Sequence, residues 1–182
     1  MKGIIMAPRI YVADLAAYNA GILHGEWIEL EGLTADDVNE RVQDILDRGQ
    51  KRYGNETLSQ HEEWAIHDYD EFGSIEIEEY DEFDRVVSLA QGITDHGNAF
   101  AEFVSAFGLS AEDALAQFDD AFIGETSLKD YAYELADEMM DCEGLSAESL
   151  GRRYFDYDQF ARDLVLGGDV VESNGHLFHS NW

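Results

Sequence analysis

The chain has 182 residues, and its 40 acidic against 11 basic residues give a formal net charge of −29. Hydrophobic residues make up 45% of the sequence, which is enough for packed cores and excludes a globally disordered chain. The single cysteine, Cys142, excludes an intramolecular disulfide framework and a cysteine-based zinc cluster.

The expected cellular setting follows from the same features. The apolar run near the start, residues 4–6, is far shorter than a secretory apolar core of about 7 to 15 residues, so no export signal is expected. Charged residues interrupt every stretch that approaches the roughly 20 apolar residues needed to cross a bilayer. A reducing cytoplasm is the simplest setting, and neither nucleic acid nor an anionic membrane is an expected partner, because both repel a polyanion.

The first part of the chain predicts a small α+β unit that ends near Gly73. Residues 9–13, 27–30 and 63–67 are rich in β-branched and aromatic side chains and predict three strands. Thr34 has the spacing of an N-cap, and the helix that it predicts has its apolar side chains at helical period, namely Val38, Val42, Ile45 and Leu46. The polar stretch 50–60 predicts a loop.

The rest of the chain predicts helices followed by a hairpin. Amphipathic patterns predict helices over 80–89 and 99–107, with Gly92 and Gly97 as interruptions. Ser110 and Ser127 are predicted to cap two further helices, and the apolar stripe of the first of these ends at Phe122. A short helix is predicted over 158–166, and Asn-Gly at 174–175 predicts the turn of a hairpin within 169–178.

The negative charge is concentrated in the middle of the chain. Residues 1–52 carry nine acids and six bases, whereas residues 53–151 carry 26 acids and only two bases, Arg85 and Lys129. Internal ion pairs therefore cannot neutralise this stretch, so most of its acids are expected to face solvent or a cationic partner. A compact protein of 20.5 kDa has roughly one net charge per 300 Å², against roughly one per 100 Å² for duplex DNA. Likeness to DNA would therefore require acids gathered on one side, an elongated chain or two copies joined end to end.

Three segments carry the acids that we predict to contact a partner. On the helix that follows Ser127, acids recur four residues apart and form rows with a spacing of about 6 Å. Each like-charge pair costs the helix about 0.2–0.5 kcal/mol, so a sequence selected for stability alone would place lysines between them. A merely solvated face explains one such helix, but three segments with almost no cations favour a functional surface. The candidate residues are Glu76, Glu78, Glu79, Asp81, Glu82, Asp84, Glu112, Asp113, Asp119, Asp120, Asp130, Glu134, Asp137, Glu138 and Asp141.

Other kinds of site have weaker support. The stretch 68–79 has the acid and glycine spacing of a calcium-binding EF-hand loop, but Phe72 stands where an oxygen ligand is needed. Cys142 is flanked by Asp141 and Glu143, which should dull it as a nucleophile. Nucleotide-binding loops, a nucleophile elbow and zinc-protease motifs are missing from the sequence. We therefore predict no catalytic residue, no metal site and no cofactor. A general acidic module for basic proteins is the alternative, and a hydrolase with paired carboxylates is a third hypothesis.

Several short blocks, in this order, resemble the ArdA family of antirestriction proteins. They are residues 8–15 with Tyr18, Asn19, Gly21, His24, Gly25 and Trp27; residues 63–69 with Phe72 and Gly73; Ala121, Phe122, Gly124 and Glu125; and residues 154–158 with 160–164. Each block alone is weak evidence, but their order and spacing across nearly the whole chain make the resemblance specific.

The resemblance implies a fold and a mode of action. It implies an elongated α+β chain of three small domains without a single large core: an N-terminal α+β domain (1–73), a small helical domain (74–109) and a C-terminal α+β domain with the dimer contact (110–182). It also implies a catalytically inert homodimer that occupies the DNA-binding groove of Type I restriction-modification enzymes. The counterpart of the family's antirestriction motif is residues 131–138, with Tyr131, Glu134, Leu135 and Ala136 near the dimer contact. Residues 139–143 depart from the family pattern, and the first seven residues resemble an extension.

Overall fold

The computed structural model describes residues 7–57 and 59–182, so all but the last residue of the expected N-terminal extension lies outside the described residues. The protein is a mixed α+β fold with two small sheets, which confirms the predicted class. Its elements, in chain order, are β1 (Arg9–Asp14), α1 (Leu15–Asn19), β2 (Gly25–Glu29), α2 (Ala35–Tyr53), β3 (Trp64–Asp70), α3 (Phe83–His96), α4 (Asn98–Phe107), α5 (Ala111–Ala121), β4 (Phe122–Gly124), α6 (Leu128–Cys142), α7 (Leu150–Arg153), α8 (Tyr157–Leu166), β5 (Val170–Ser173) and β6 (His176–His179).

The described residues form two compact units. One comprises the described residues up to Leu115 and the other comprises Ala116–Trp182, so the division falls within α5. The N-terminal unit contains one sheet and the C-terminal unit the other. The division into three domains at 73 and 109 stays a prediction.

The N-terminal sheet has the strand order β2-β1-β3, with both pairs antiparallel. Ile10 pairs with Ile28, and Val12 pairs with Ile66; all four side chains are buried. The three predicted strands are therefore confirmed. However, β3 continues to Asp70, because its last residues still pair with β1, and Arg9 of β1 donates two hydrogen bonds to the Asp70 carboxylate.

Helix α2 begins at the predicted cap. The Thr34 hydroxyl accepts a hydrogen bond from the Asp37 backbone, and the Asp37 carboxylate accepts one from the Thr34 backbone, which forms a capping box. The prediction of a loop from residue 50 is wrong at its start, because the helix runs on to Tyr53. Basic side chains at Lys51 and Arg52 favour this extension, since they lie at the negative end of the helix dipole.

A buried histidine–carboxylate hydrogen bond joins β1 to the segment that follows α2. His61 donates from Nδ1 to the carboxylate of Asp14, and both side chains are inaccessible to solvent. The Nε2 atom of His61 lies 3.0 Å from the Thr57 hydroxyl, and the second Asp14 oxygen accepts a hydrogen bond from the Ala17 backbone. Gly49 leaves the space for this pair, because a Cβ atom there would lie 2.7 Å from His61 Nδ1 and closer to Asp14. The sequence gives no periodic pattern from which this long-range contact follows.

Helices α3 and α4 pack against each other around one glycine. Gly92 was predicted to interrupt a helix, but it lies inside α3, which starts at Phe83 and ends at His96. A Cβ atom at Gly92 would lie 2.6 Å from Cδ1 of the Phe100 ring and closer still to its outer edge. The glycine therefore permits close helix packing. The predicted interruption at Gly97 is confirmed, and its φ of 68° is one that glycine adopts readily.

The C-terminal sheet has the strand order β4-β6-β5 and packs on α6 and α8. Its apolar core consists of Ala132, Ala161, Leu164, Val170 and Leu177. Phe122 was predicted to end a helical stripe. It lies instead in β4, where its ring is 5.1 Å from Phe118 and 5.7 Å from Phe178 of β6.

The C-terminal hairpin forms as predicted. Strands β5 and β6 pair antiparallel from Val170 with His179 to Ser173 with His176. Asn174 and Gly175 form the turn with φ values of 48° and 82°, the backbone that an Asn-Gly turn requires. The short helix α7 had no sequence signal that predicted it.

The first prediction concerns the buried hydrogen bond between His61 and Asp14. Replacing His61 with Ala leaves the Asp14 carboxylate buried and unpaired, so the free energy of unfolding should fall by about 3–5 kcal/mol. Adding Asp14→Asn should restore part of this loss, because Asn removes the charge and retains the N-cap of α1. Urea unfolding of both variants tests this, and a double variant less stable than His61→Ala would contradict it.

The second prediction concerns the contact between α3 and α4. In an open helix, Gly→Ala stabilises by about 0.5–1 kcal/mol, but Gly92→Ala should destabilise by about 1–3 kcal/mol, because the methyl group enters the space of the Phe100 ring. Gly151→Ala is the matched control, since its nearest neighbour would be at an ordinary 3.8 Å. The midpoint of thermal unfolding should fall for Gly92→Ala and should not fall for Gly151→Ala.

Candidate functional site

Most of the predicted partner-binding acids lie on the surface. Thirteen of the fifteen are exposed, and Asp81 and Asp137 are half-buried. The two half-buried acids are each held by an arginine of the same chain. The set therefore divides into carboxylates that face solvent and carboxylates that also hold the fold together.

The acids at 76–79 lie on an extended segment beside β3. Ile75 and Ile77 are buried, whereas Glu76 and Glu78 are exposed, so the side chains alternate between core and solvent. The carbonyl of Glu79 accepts a hydrogen bond of 2.9 Å from the backbone of Ile66 in β3. Alternate residues of an extended chain are about 7 Å apart, so Glu76 and Glu78 present a pair of carboxylates on one face.

One arginine fixes the turn that follows this segment. The Asp81 carboxylate accepts hydrogen bonds from the Glu78 backbone, at 2.8 Å, and from the Arg85 guanidinium. Arg85 also donates to the carbonyl of Glu76. Glu82 and Asp84, at the start of α3, are exposed. This cation therefore orders the acidic segment while neutralising only one of its carboxylates.

Helix α5 presents four of the acids. Glu112, Asp113, Asp119 and Asp120 are all exposed, while Ala114 and Phe118 of the same helix are buried. The Ser110 hydroxyl donates to the Asp113 carboxylate and accepts from the Asp113 backbone, which confirms the predicted cap.

Helix α6 presents the longest row. Ala132, Ala136 and Met140 are buried on its inner face, and Asp130, Glu134 and Glu138 are exposed at intervals of four residues. At a rise of 1.5 Å per residue, their Cα atoms are about 6 Å apart along the axis. Ser127 caps the helix as predicted and donates to Asp130.

The second pair of acids on α6 is held by Arg152, a residue outside the predicted site. Arg152 donates to Asp141 at 2.7 Å and lies 3.4 Å from Asp137. The hydrogen bond to Asp141, together with the charge of both acids, raises the pKa of the guanidinium. Tyr157 also donates to Asp137, and this hydrogen bond is the main cause of its raised pKa. Arg152 was missed because it is one residue beyond the acidic stretch 53–151, and no pattern linked it to α6.

The antirestriction segment, residues 131–138, spans both the buried and the exposed face of α6. Ala136 is buried, Tyr131 and Leu135 are half-buried against the core, and only Glu134 of the four named residues is exposed. The Tyr131 ring packs edge-on against His179 at 6.3 Å. An open apolar groove of about 810 Å³ begins at Leu135 and is lined further by Met139, Cys142 and Phe155, among others.

The calcium-loop hypothesis is wrong for 68–79. Asp68 and Asp70 lie in β3 rather than in a loop between two helices, and the carboxylate of Asp70 binds Arg9. Within residues 7–57 and 59–182, no group of three or more His, Cys, Asp or Glu side chains is placed to hold a metal ion. In the same part of the chain, no helix has both the length and the apolar composition that crossing a bilayer requires.

These observations define an acidic α+β protein whose exposed carboxylates follow regular backbone segments. A family model described as "Antirestriction protein (ArdA)" matches residues 10–178. The chain therefore belongs to the ArdA family of antirestriction proteins, which confirms the resemblance. A search among curated proteins gave no match.

The third prediction concerns Tyr131, the one aromatic side chain of the named antirestriction residues. Burial, and second the charge of Glu138, raise the pKa of its hydroxyl above the ordinary value of 10.0. In a spectroscopic pH titration, the tyrosinate absorbance that wild type shows and Tyr131→Phe lacks should therefore appear above pH 10. Glu138→Gln should lower this pKa only partly, because burial is the larger cause. Glu134→Gln is the control, and an equal effect from it would contradict the assignment.

Proposed function

We propose that the protein inhibits Type I restriction-modification enzymes by occupying their DNA-binding groove as a DNA mimic. Membership of the ArdA family establishes the antirestriction class. The observation that supports the mechanism is the exposure of thirteen of the fifteen candidate acids on ordered backbone. In this proposal the carboxylates take the place of DNA phosphates, and the protein acts by binding in the cytoplasm rather than by catalysis.

The charge of both units supports a cationic partner. The sequence up to Leu115 carries 25 acids and 7 bases, and Ala116–Trp182 carries 15 acids and 4 bases. A groove that binds DNA is lined with Lys and Arg, so either unit is attracted to it. Electrostatic attraction accelerates the encounter, and displaced counterions make the affinity fall steeply with salt.

The spacing of the acids supports mimicry over a generally acidic surface. The row on α6 repeats about every 6 Å, and Glu76 and Glu78 lie about 7 Å apart on the extended segment. Rows of like charges destabilise a helix. The row Asp130, Glu134 and Glu138 on α6 is best explained by a partner that requires a regular anionic row.

We further propose that the protein is a homodimer with its contact in the C-terminal unit. The apolar groove next to the antirestriction segment supports this, because Met139 is 54% exposed and Phe155 is 36% exposed. Large apolar side chains exposed beside one another are typical of an interaction surface. A dimer would double the formal charge available to fill a long DNA groove.

The fourth prediction is a graded loss of inhibition as acids are neutralised. Glu134→Gln alone should change little, because many charges share the interaction. The triple variant Glu112→Gln, Glu134→Gln, Glu138→Gln should bind a purified Type I enzyme about tenfold less tightly at low salt and depend less on salt. The triple variant Glu29→Gln, Glu31→Gln, Glu40→Gln is the control, because it loses the same charge from exposed acids outside the candidate set.

Binding is measured directly by anisotropy of the labelled protein across a salt series, and inhibition by cleavage of an unmodified plasmid. Unchanged DNA cleavage at low salt with excess wild-type protein would reject the proposal. Equal losses in the two triple variants would reject regular mimicry in favour of total charge. Tighter binding to a basic DNA-coating protein than to the enzyme would favour the general acidic module.

A further inference from the structure

Arg152 links three segments of the C-terminal unit at one point. Its guanidinium donates to Asp141 at 2.7 Å, to the Asp137 carbonyl at 3.1 Å and to the Leu145 carbonyl at 3.2 Å. The Arg152 side chain is only 16% exposed, although it lies on the four-residue helix α7. We call this set of contacts the Arg152 clamp.

The Arg152 clamp also reaches α8. Tyr157, the first residue of α8, donates its hydroxyl to Asp137 at 2.8 Å. The Tyr157 ring stacks on Tyr133 of α6, with 4.0 Å between ring centres and 6° between planes. Arg152 of α7 and Tyr157 of α8 therefore contact the same carboxylate of α6, that of Asp137.

The clamp divides the five acids on α6 into two groups. Asp137 and Asp141 are engaged by Arg152, whereas the exposed row consists of Asp130, Glu134 and Glu138. All five fall within about 100° of the helix circumference, since successive residues are about 100° apart. In projection along the helix axis, Asp137 lies about 20° outside the exposed row and Asp141 lies between Asp130 and Glu134, so the clamp holds the surface directly beside the row.

A cation at this position lowers the negative charge of the acidic surface. If only charge density determined binding, Arg152 would weaken the interaction with a cationic groove, and its loss would be neutral or favourable. If the relative position of the acids determines binding, the loss of Arg152 would weaken the interaction, although the protein becomes more negative. The two explanations therefore predict opposite signs.

We propose that Arg152 is a positioning residue of the partner-binding surface, which holds the C-terminal half of α6 and the row Asp130, Glu134 and Glu138 in the geometry that the enzyme recognises. This inference rests on the proposed function. Arginine suits this role because its planar guanidinium binds several oxygens at once, which the single ammonium of lysine does not reproduce.

The fifth prediction compares two variants with the same charge. Arg152→Gln and Arg153→Gln each raise the net negative charge by one, but Arg153 is an exposed neighbour that lies outside the clamp. Arg152→Gln should bind a purified Type I enzyme at least about threefold less tightly at low salt. Arg153→Gln should bind as tightly as wild type or more tightly. Arg152→Lys should fall between wild type and Arg152→Gln, since it restores the charge but only part of the contacts.

The salt dependence, read together with the folded fraction, separates positioning from a loss of folded protein. A variant that makes fewer simultaneous ionic contacts has a shallower plot of log affinity against log salt. Circular dichroism measures the folded fraction at each salt concentration, because salt screens the self-repulsion of an acidic chain and would refold a partly folded variant. We expect the shallower slope for Arg152→Gln, with Arg152→Lys as the second test if Arg152→Gln loses its helical circular dichroism.

Three results would overturn the inference. The first is equal affinities for Arg152→Gln and Arg153→Gln, and the second is an unchanged salt slope in both Arg152 variants. The third is that Arg152→Lys binds as tightly as wild type, while Arg152→Gln is folded and binds more weakly by the same factor at every salt concentration. These results leave the proposed function intact if the wild-type protein still inhibits the enzyme. Failure of the wild-type protein to bind the enzyme at low salt would instead reject the proposed function.

Discussion

The structure depends on how a chain with 40 acids and 11 bases keeps its like charges apart while folding. Self-repulsion opposes any compact arrangement of such a chain. The response is local, since each unit places its acids on the outer face of an element whose inner face is apolar. On α6, Ala132, Ala136 and Met140 are buried opposite the acidic row. The hydrophobic effect therefore holds the elements, and the acids remain hydrated, where their mutual repulsion is weakest.

The few cations act mainly as links between segments. Arg9 binds Asp70 across two strands, and Arg48 binds Glu26 from helix to strand with two hydrogen bonds of 2.6 and 2.8 Å. The Arg48 contact is the main reason that the pKa of Glu26 lies below its ordinary value. Arg85 and Arg152 fix acidic segments in the same way. Because these pairs are mostly exposed, each adds little to stability, and their larger effect is on the positions of the chain segments.

Local chemistry was predictable from the sequence, and contacts between distant residues were not. Thr34, Ser127 and the Asn174-Gly175 turn were found because the cap and the turn each depend on a few adjacent residues. The prediction that Gly92 interrupts a helix was wrong, because the sequence alone does not distinguish such a glycine from one that leaves space for the Phe100 ring. The exposed acids of the candidate site were predictable from charge alone. Arg152 was not, since its partners are 11 and 15 residues away.

The distinction between charge and geometry also explains why composition alone does not identify the function. An acidic surface attracts many basic proteins, and its net charge sets the rate of encounter more than the choice of partner. Selectivity requires carboxylates at defined distances, which in turn requires rigid backbone below them. Here that backbone is supplied by a helix capped at Ser127 and by an extended segment anchored through Ile75 and Ile77. In the proposed mechanism, a chain that retained its charge but lost these supports would still attract cations, but it would no longer select a DNA-binding groove over any other basic surface.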